Sequence, residues 1–194
     1  AIADLSRKQH RHALAVEKNM ASVLESSDEK NNGIKLMRLI VDGGTEALRK
    51  AFWKCQGGSG NLQVVLSDNR RILHHKLTSR PKIINHDQWN ELYPPSGNPP
   101  NINNFDITLL SILLRNICSL SPPAPGGWDN MPKVVDFSLE ADVVRIKLFR
   151  NKCFAHLPNT SVTMADFKKS WAEIRSPLVR LGIKQSEVDR LEHE

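Results

Sequence analysis

Arg150 and His156 are the two side chains best suited to acting on one charged substrate. A guanidinium is a permanent cation that can grip a phosphate through two parallel hydrogen bonds. An imidazole exchanges protons near neutral pH, with a ribose hydroxyl or a leaving oxygen. Together they suit metal-free phosphodiester chemistry, in which the arginine also stabilises charge building on the phosphate. Arg150 follows Ile146 by four residues and Val143 by seven, which puts it on an apolar stripe. A charge placed there needs a partner. His156 comes six residues later, about 9 Å along a helix axis and about 120° around it. The two converge only if the helix end bends or a second subunit contributes. A structural alternative pairs Arg150 with Asp106 or Asp142 and leaves His156 to favour the helix C-terminus.

Other chemistries find less support. Gly57-Gly58-Ser59-Gly60 is not followed by Lys-Ser or Lys-Thr and follows no strand, so it does not read as a phosphate-cradling loop. The G-x-S-x-G, H-E-x-x-H and EF-hand patterns are absent. His10, His12, His74 and His75 lack carboxylate or thiol partners at ligand spacing, so no metal and no cofactor is expected. Cys55, Cys118 and Cys153 are odd in number and widely spaced, which reads as buried reduced thiols in a cytoplasmic protein.

The elements that must position these groups are helical. Ala1 to about Ser26 is expected to form an amphipathic helix, and Ser26 to Gly33 a polar break. Residues 1–32 thus read as a flanking helix and linker, and 33–194 as one helical domain. Ile34 to Cys55 is a helix interrupted at Gly43-Gly44, where a kink or a close backbone contact is expected. Leu62 to Leu66 is a short apolar piece, after which Ser67 is expected to cap a helix through Leu77. A short helix opens at His86 or Asp87. Phe105 to Leu120 is the most apolar stretch and should lie centrally. Ser138 caps the helix carrying Arg150, which Pro158 stops. Thr163 caps another, running to about Leu181 and closed by Gly182. Pro177 falls inside it, where it can bend the helix. Gln185 to His193 is the last. Proline-rich loops occupy 94–100 and 121–132. No strand alternation or repeat is evident. The fold class is therefore all-α, a single bundle of about seven or eight helices.

Composition agrees with one globular domain: 194 residues, 40% hydrophobic and 25% charged. The formal net charge of +6 permits a phosphate-rich partner, but Lys and Arg are spread along the chain. No apolar run is long enough to cross a membrane. The chain begins at Ala1 without a targeting peptide, which reads as a piece of a longer protein.

Arg150-Asn151-x4-His156 resembles the Arg…His signature of the HEPN superfamily, whose members are helical and often metal-independent ribonucleases. Further segments resemble one branch of it, the HEPN-like domain named after a DAZ-interacting RING-type ubiquitin ligase. These are Asp42-Gly43-Gly44-Thr45-Glu46-Ala47-Leu48-Arg49, Trp89-x-x-Leu92-Tyr93-Pro94-Pro95, Phe105 to Leu110, Leu114-Arg115-Asn116-Ile117-Cys118, Gly127-Trp128-Asp129 and Ala141-Asp142-x-x-Arg145-Ile146-Lys147-x-x-Arg150-Asn151. The likeness runs from about Ile34 to Gly182.

This resemblance implies an endoribonuclease, or an RNA-binding relative, within a larger signalling or immune protein. Arg150 would bind phosphate, His156 would act as general acid or base, and Asn151 would orient one or both. Arg145, Lys147 and Lys152 would draw in single-stranded RNA. A homodimer through the Arg150 helix would join two such sites. The alternative is a noncatalytic scaffold that dimerises and gathers neighbouring modules. No RING cysteines occur in these residues, so any ligase activity would lie elsewhere in the parent protein. The second Arg-Asn pair, Arg115-Asn116, reads as structural, bonded to a buried acid or a loop carbonyl. Trp89 and Trp128 read as core packing or as anchors for loops and interfaces.

Overall fold

A computed structural model of the chain describes residues 26–58, 60–155 and 160–194, with the backbone alone at 154 and 155. The helix expected over the first 25 residues lies outside them.

The polar stretch read as a break is helical from its third residue. Ser27 is the N-cap of α1 (Asp28–Arg38), and its side chain accepts from the Lys30 amide. Asp28 and Glu29 sit at the positive end of the helix, Lys35 and Arg38 at the negative end. Asn31-Asn32-Gly33 is poor helix sequence, and tertiary packing overrides it. Asn32 and Gly33 are buried. The Asn32 amide donates to the Val162 carbonyl at 3.2 Å, and the Val162 N–H donates to the Glu29 carbonyl at 2.9 Å. The boundary expected at 32/33 therefore falls inside α1.

Helical backbone continues from α1 through a π-helical turn, Leu39–Gly44, into α2 (Thr45–Cys55). This is how the chain meets the expected irregularity at Gly43-Gly44. A Cβ on Gly44 would stand 3.1 Å from Ile146 and 3.3 Å from Ile107, so the missing side chain lets two other helices approach.

Two short helices follow, α3 (Leu62–Asp68) and α4 (Arg70–Thr78). The expected start at Ser67 is too late. Asn61 caps α3 by accepting from the Gln63 and Val64 amides, and Ser67 lies inside that helix. Next comes α5 (His86–Leu92), opened by a reciprocal capping box between Asn85 and Gln88. A single 3-10 turn, Ile102–Asn104, leads to α6 (Ile107–Ile117), capped by Asp106.

The expected central helix is α6. Ile107, Leu109, Leu110, Ser111, Ile112, Leu113 and Leu114 are all buried. Each fully buried leucine or isoleucine stabilises by about 1.5–3 kcal/mol, so this helix is the main apolar anchor. It packs on α2 and on α7 (Leu139–Ala155). In turn α7 packs on α8 (Met164–Arg180), which also touches α1. Thr163 caps α8, and Pro177 is buried within it. Gly182 ends it at φ +99, and the Ile183 N–H returns to the Leu178 carbonyl at 3.0 Å. The last helix is α9 (Gln185–His193). The fold is all-α, as expected. Among the described residues no helix is long and apolar enough to cross a membrane.

Candidate functional site

Arg150 lies near the end of α7, on a half-buried face. It lines a small depression with Val41 and Thr45 from the α1–α2 rod and Asp106 and Ile107 at the start of α6. The Arg150 guanidinium donates to the Asn151 side-chain oxygen at 3.3 Å. That contact orients one edge of the cation. Of the two carboxylates weighed from sequence, Asp106 shares the Arg150 depression and Asp142 does not. The Asp106 carboxylate is itself engaged, accepting from the Leu109 amide at 2.7 Å as the α6 cap. Asn151 and Lys152 are exposed. His156 lies outside the described residues.

The other sequence candidates on α7 are committed to structure. Arg145 is 7% exposed and donates to Asp142 at 2.8 Å and to the Lys133 carbonyl at 2.7 Å. Asp142 is 1% exposed and receives a second arginine, Arg180 of α8, through two bonds of 2.7 Å. The hydrogen bonds that Asp142 accepts hold the Arg180 guanidinium above its ordinary pKa. Arg145 is therefore a core tie between α7, α8 and the 131–137 loop.

Lys147 donates to Asp129 at 2.7 Å, and Arg115 lies 3.7 Å from the same carboxylate. The Lys147 hydrogen bond, then the Lys147 and Arg115 charges, hold the Asp129 carboxyl below its usual range. Arg115 also stacks over Trp128 at 5.2 Å. So Arg115 is structural, as expected, although its acid sits on an exposed loop rather than in the core. The Asn116 amide donates to the Ile112 carbonyl at 2.7 Å. Of the five cationic or polar candidates on α7, Arg150, Asn151 and Lys152 face an accessible surface.

Sequence reasoning missed one cluster. The guanidinium of Arg70 in α4 sits over Tyr93, 4.3 Å from its ring centroid, and over Trp89, 5.2 Å from its centroid. Tyr93 and Trp89 pack at 4.4 Å, and His74 meets Trp89 edge-on at 5.4 Å. The signal was present: between Asp68 and Asp87 the chain carries Arg70, Arg71, Lys76, Arg80 and Lys82 and no acid.

An all-α bundle packed around one apolar central helix is the class of protein that this fold defines. Its family is more specific: the family described as DZIP3/hRUL138-like HEPN matches residues 59–194, and this chain belongs to it. Two curated relatives are each called E3 ubiquitin-protein ligase DZIP3. The mouse protein is 28% identical over 160 residues, 80% of this chain and 13% of the relative. The human protein is 26% identical over the same lengths. The chain thus corresponds to a small part of those proteins. No solved structure matches it.

Proposed function

We propose that the chain is an RNA-engaging HEPN module of a larger ubiquitin-ligase-like protein. It holds a phosphodiester at Arg150 and Asn151, with Lys152 adding charge. His156, placed by the sequence signature, supplies proton transfer, and the reading extends to metal-independent cleavage of single-stranded RNA. One observation carries it. Arg150 is buried enough to be fixed yet opens on a depression, and Asn151 steers its guanidinium. Such a cation meets a phosphate at little reorganisation cost.

The test is incubation of the chain with mixed single-stranded RNA in EDTA, beside Arg150→Ala and His156→Ala. Cleavage is expected to leave 2′,3′-cyclic phosphate ends and to disappear in both variants while their helical circular dichroism persists. RNA bound but uncleaved would restrict the module to binding. RNA neither bound nor cut would sink the proposal.

A second reading, a self-associating scaffold, has its own observation. Met131, Val134, Val135 and Phe137 are exposed beside a groove floored by Phe149 of α7. Apolar clusters of this kind mark interaction surfaces.

A further inference from the structure

We propose a second, separate contact for a nucleoside phosphate in the niche between the α3–α4 turn and the Tyr93–Pro100 loop, with Arg70 as its anion-binding group. The niche has a volume of about 360 Å³, in the range of small-ligand sites. Its polar walls are Gln63, Ser67, Arg70 and Asn98, and no carboxylate lines it. Among the described residues no carboxylate lies within ion-pair distance of Arg70, which sits over the Tyr93 and Trp89 rings.

The guanidinium carbon lies 4.3 Å from the Tyr93 centroid and 5.2 Å from that of Trp89, and the side chain is exposed, so N–H edges remain for a ligand. Those edges fit two phosphate oxygens. The platform is itself held: the Tyr93 hydroxyl donates to the Leu66 carbonyl at 2.7 Å. The hydroxyl of Ser67 and the amides of Gln63 and Asn98 can bond a sugar or a base edge. The run of cations without an acid from Arg70 to Lys82 extends the positive potential along α4 and beyond.

The niche also connects to Arg150. Pro94 to Pro100 wall the niche, and Asp106 and Ile107 wall the Arg150 depression. Five residues separate Pro100 from Asp106, six steps and at most about 21 Å of chain. Arg49 pins this strap, donating to the carbonyls of Ile102 at 3.1 Å and Asn103 at 2.8 Å. An RNA strand that follows this segment would meet both cations. To that extent the inference rests on the RNA reading above, but the Arg70 niche binds its phosphate without Arg150.

The experiment is fluorescence anisotropy of a labelled oligouridylate of twelve nucleotides at several salt concentrations. It compares wild type with Arg70→Ala, Arg70→Lys and Arg150→Ala, each checked for an unchanged melting temperature. Uridine 5′-monophosphate, uridine and polyglutamate serve as competitors. Arg70→Ala is expected to weaken binding about tenfold. The slope of log affinity against log salt should fall by about 0.7, one phosphate contact to a single strand. Arg70→Lys keeps the charge, loses the fork and should fall between.

Binding by Arg70→Ala within twofold of wild type, while Arg150→Ala loses it, overturns this inference and leaves the Arg150 reading intact. The reverse pattern supports the niche and removes Arg150 from the RNA site. Binding of uridine 5′-monophosphate but not RNA, dependent on Arg70, supports the niche with a free nucleotide as its source. Displacement by polyglutamate as effective as by RNA identifies an acidic protein partner and overturns the nucleotide assignment. Failure of both RNA and the monophosphate to bind wild type overturns both proposals.

Discussion

Removing the Asp142 carboxylate would strand two arginines. Arg145 is buried, and its guanidinium shares that single acid with Arg180. Breaking a buried pair from one side typically costs about 3–5 kcal/mol, because the remaining charge cannot be resolvated. Asp142→Ala is therefore expected to lower the thermal midpoint sharply, with Asp142→Asn intermediate because it keeps an acceptor. Calorimetry of both variants measures this, and a midpoint within a degree of wild type for the alanine would refute it. Arg145 was read from sequence as an RNA contact. Its partner three residues earlier was legible, being on the same helix face, but Arg180 lies 38 residues away and Lys133 is in a loop. Spacing along one helix cannot show a contact made by another. For the same reason Lys147 read as a free cation, since Asp129 reaches it across a loop.

Tyr93 offers a direct pH measurement, because it is the only tyrosine. Burial pushes its phenol up to about 12 from an ordinary 10, with the Arg70 charge opposing. The raised value means that the folded state favours the neutral phenol. The unfolded chain ionises from about 10 upward while the folded one keeps its proton. Stability is then present below pH 10 and declines as pH rises from 10 towards 12. Phenolate absorbance should titrate near 12 in the native chain and near 10 in denaturant. A native midpoint near 10 would mean that the phenol is not buried as the structure has it.

At the level of elements, caps and periodicity carried most of the fold. Thr163 at α8, the bounds of α9 and the apolar run of α6 all stand where sequence places them, because each rests on local chemistry. The failures are also local in cause. Asn61 rather than Ser67 opens the α3–α4 pair, so the nearer apolar run and its asparagine outweighed a serine that merely continues the helix. The α1 start was hidden by Asn31-Asn32-Gly33, which becomes helical through contacts made about 130 residues away. Two glycines separate these effects. On Gly33 a Cβ would lie 1.8 Å from the Thr160 carbonyl oxygen, a backbone atom that cannot rotate aside. On Gly44 the nearest atoms are Ile146 and Ile107 methyl groups at 3.1 and 3.3 Å, which can yield slightly. Alanine gains about 0.5–1 kcal/mol of helix preference at either site. Overpacking costs about 1–3 kcal/mol, and more where nothing can move. Gly33→Ala is therefore expected to destabilise clearly and Gly44→Ala mildly. Urea denaturation should rank them so, and the opposite order would show that α1 does not dock on the 160–162 segment.

For the whole molecule, the question is what covers the apolar groove. Val134 is 87% exposed and Phe137 63%, beside a space of about 340 Å³ whose floor includes Phe149, Ala172 and Pro177. Phe149 directly precedes Arg150 on α7. Neighbours on a helix point about 100° apart, so a second copy seated on this face would pair the molecules through the Arg150 helix while leaving Arg150 to the side of the contact. A stable interface buries about 800 Å² per partner. Four side chains and a groove make a small contact of the weak, transient class, to be sought at roughly 10–100 μM. Sedimentation velocity of the chain across that range should show a mass average rising with concentration. Val134→Asp combined with Phe137→Ser should hold it at the monomer mass. Both positions are exposed, so folding stability should change by only about 0.5 kcal/mol. Phe137 also lies under Arg180 at 4.9 Å, and a larger loss would locate its main role in that contact. A wild-type chain that stays monomeric throughout removes self-association through this face from the ways this domain can work.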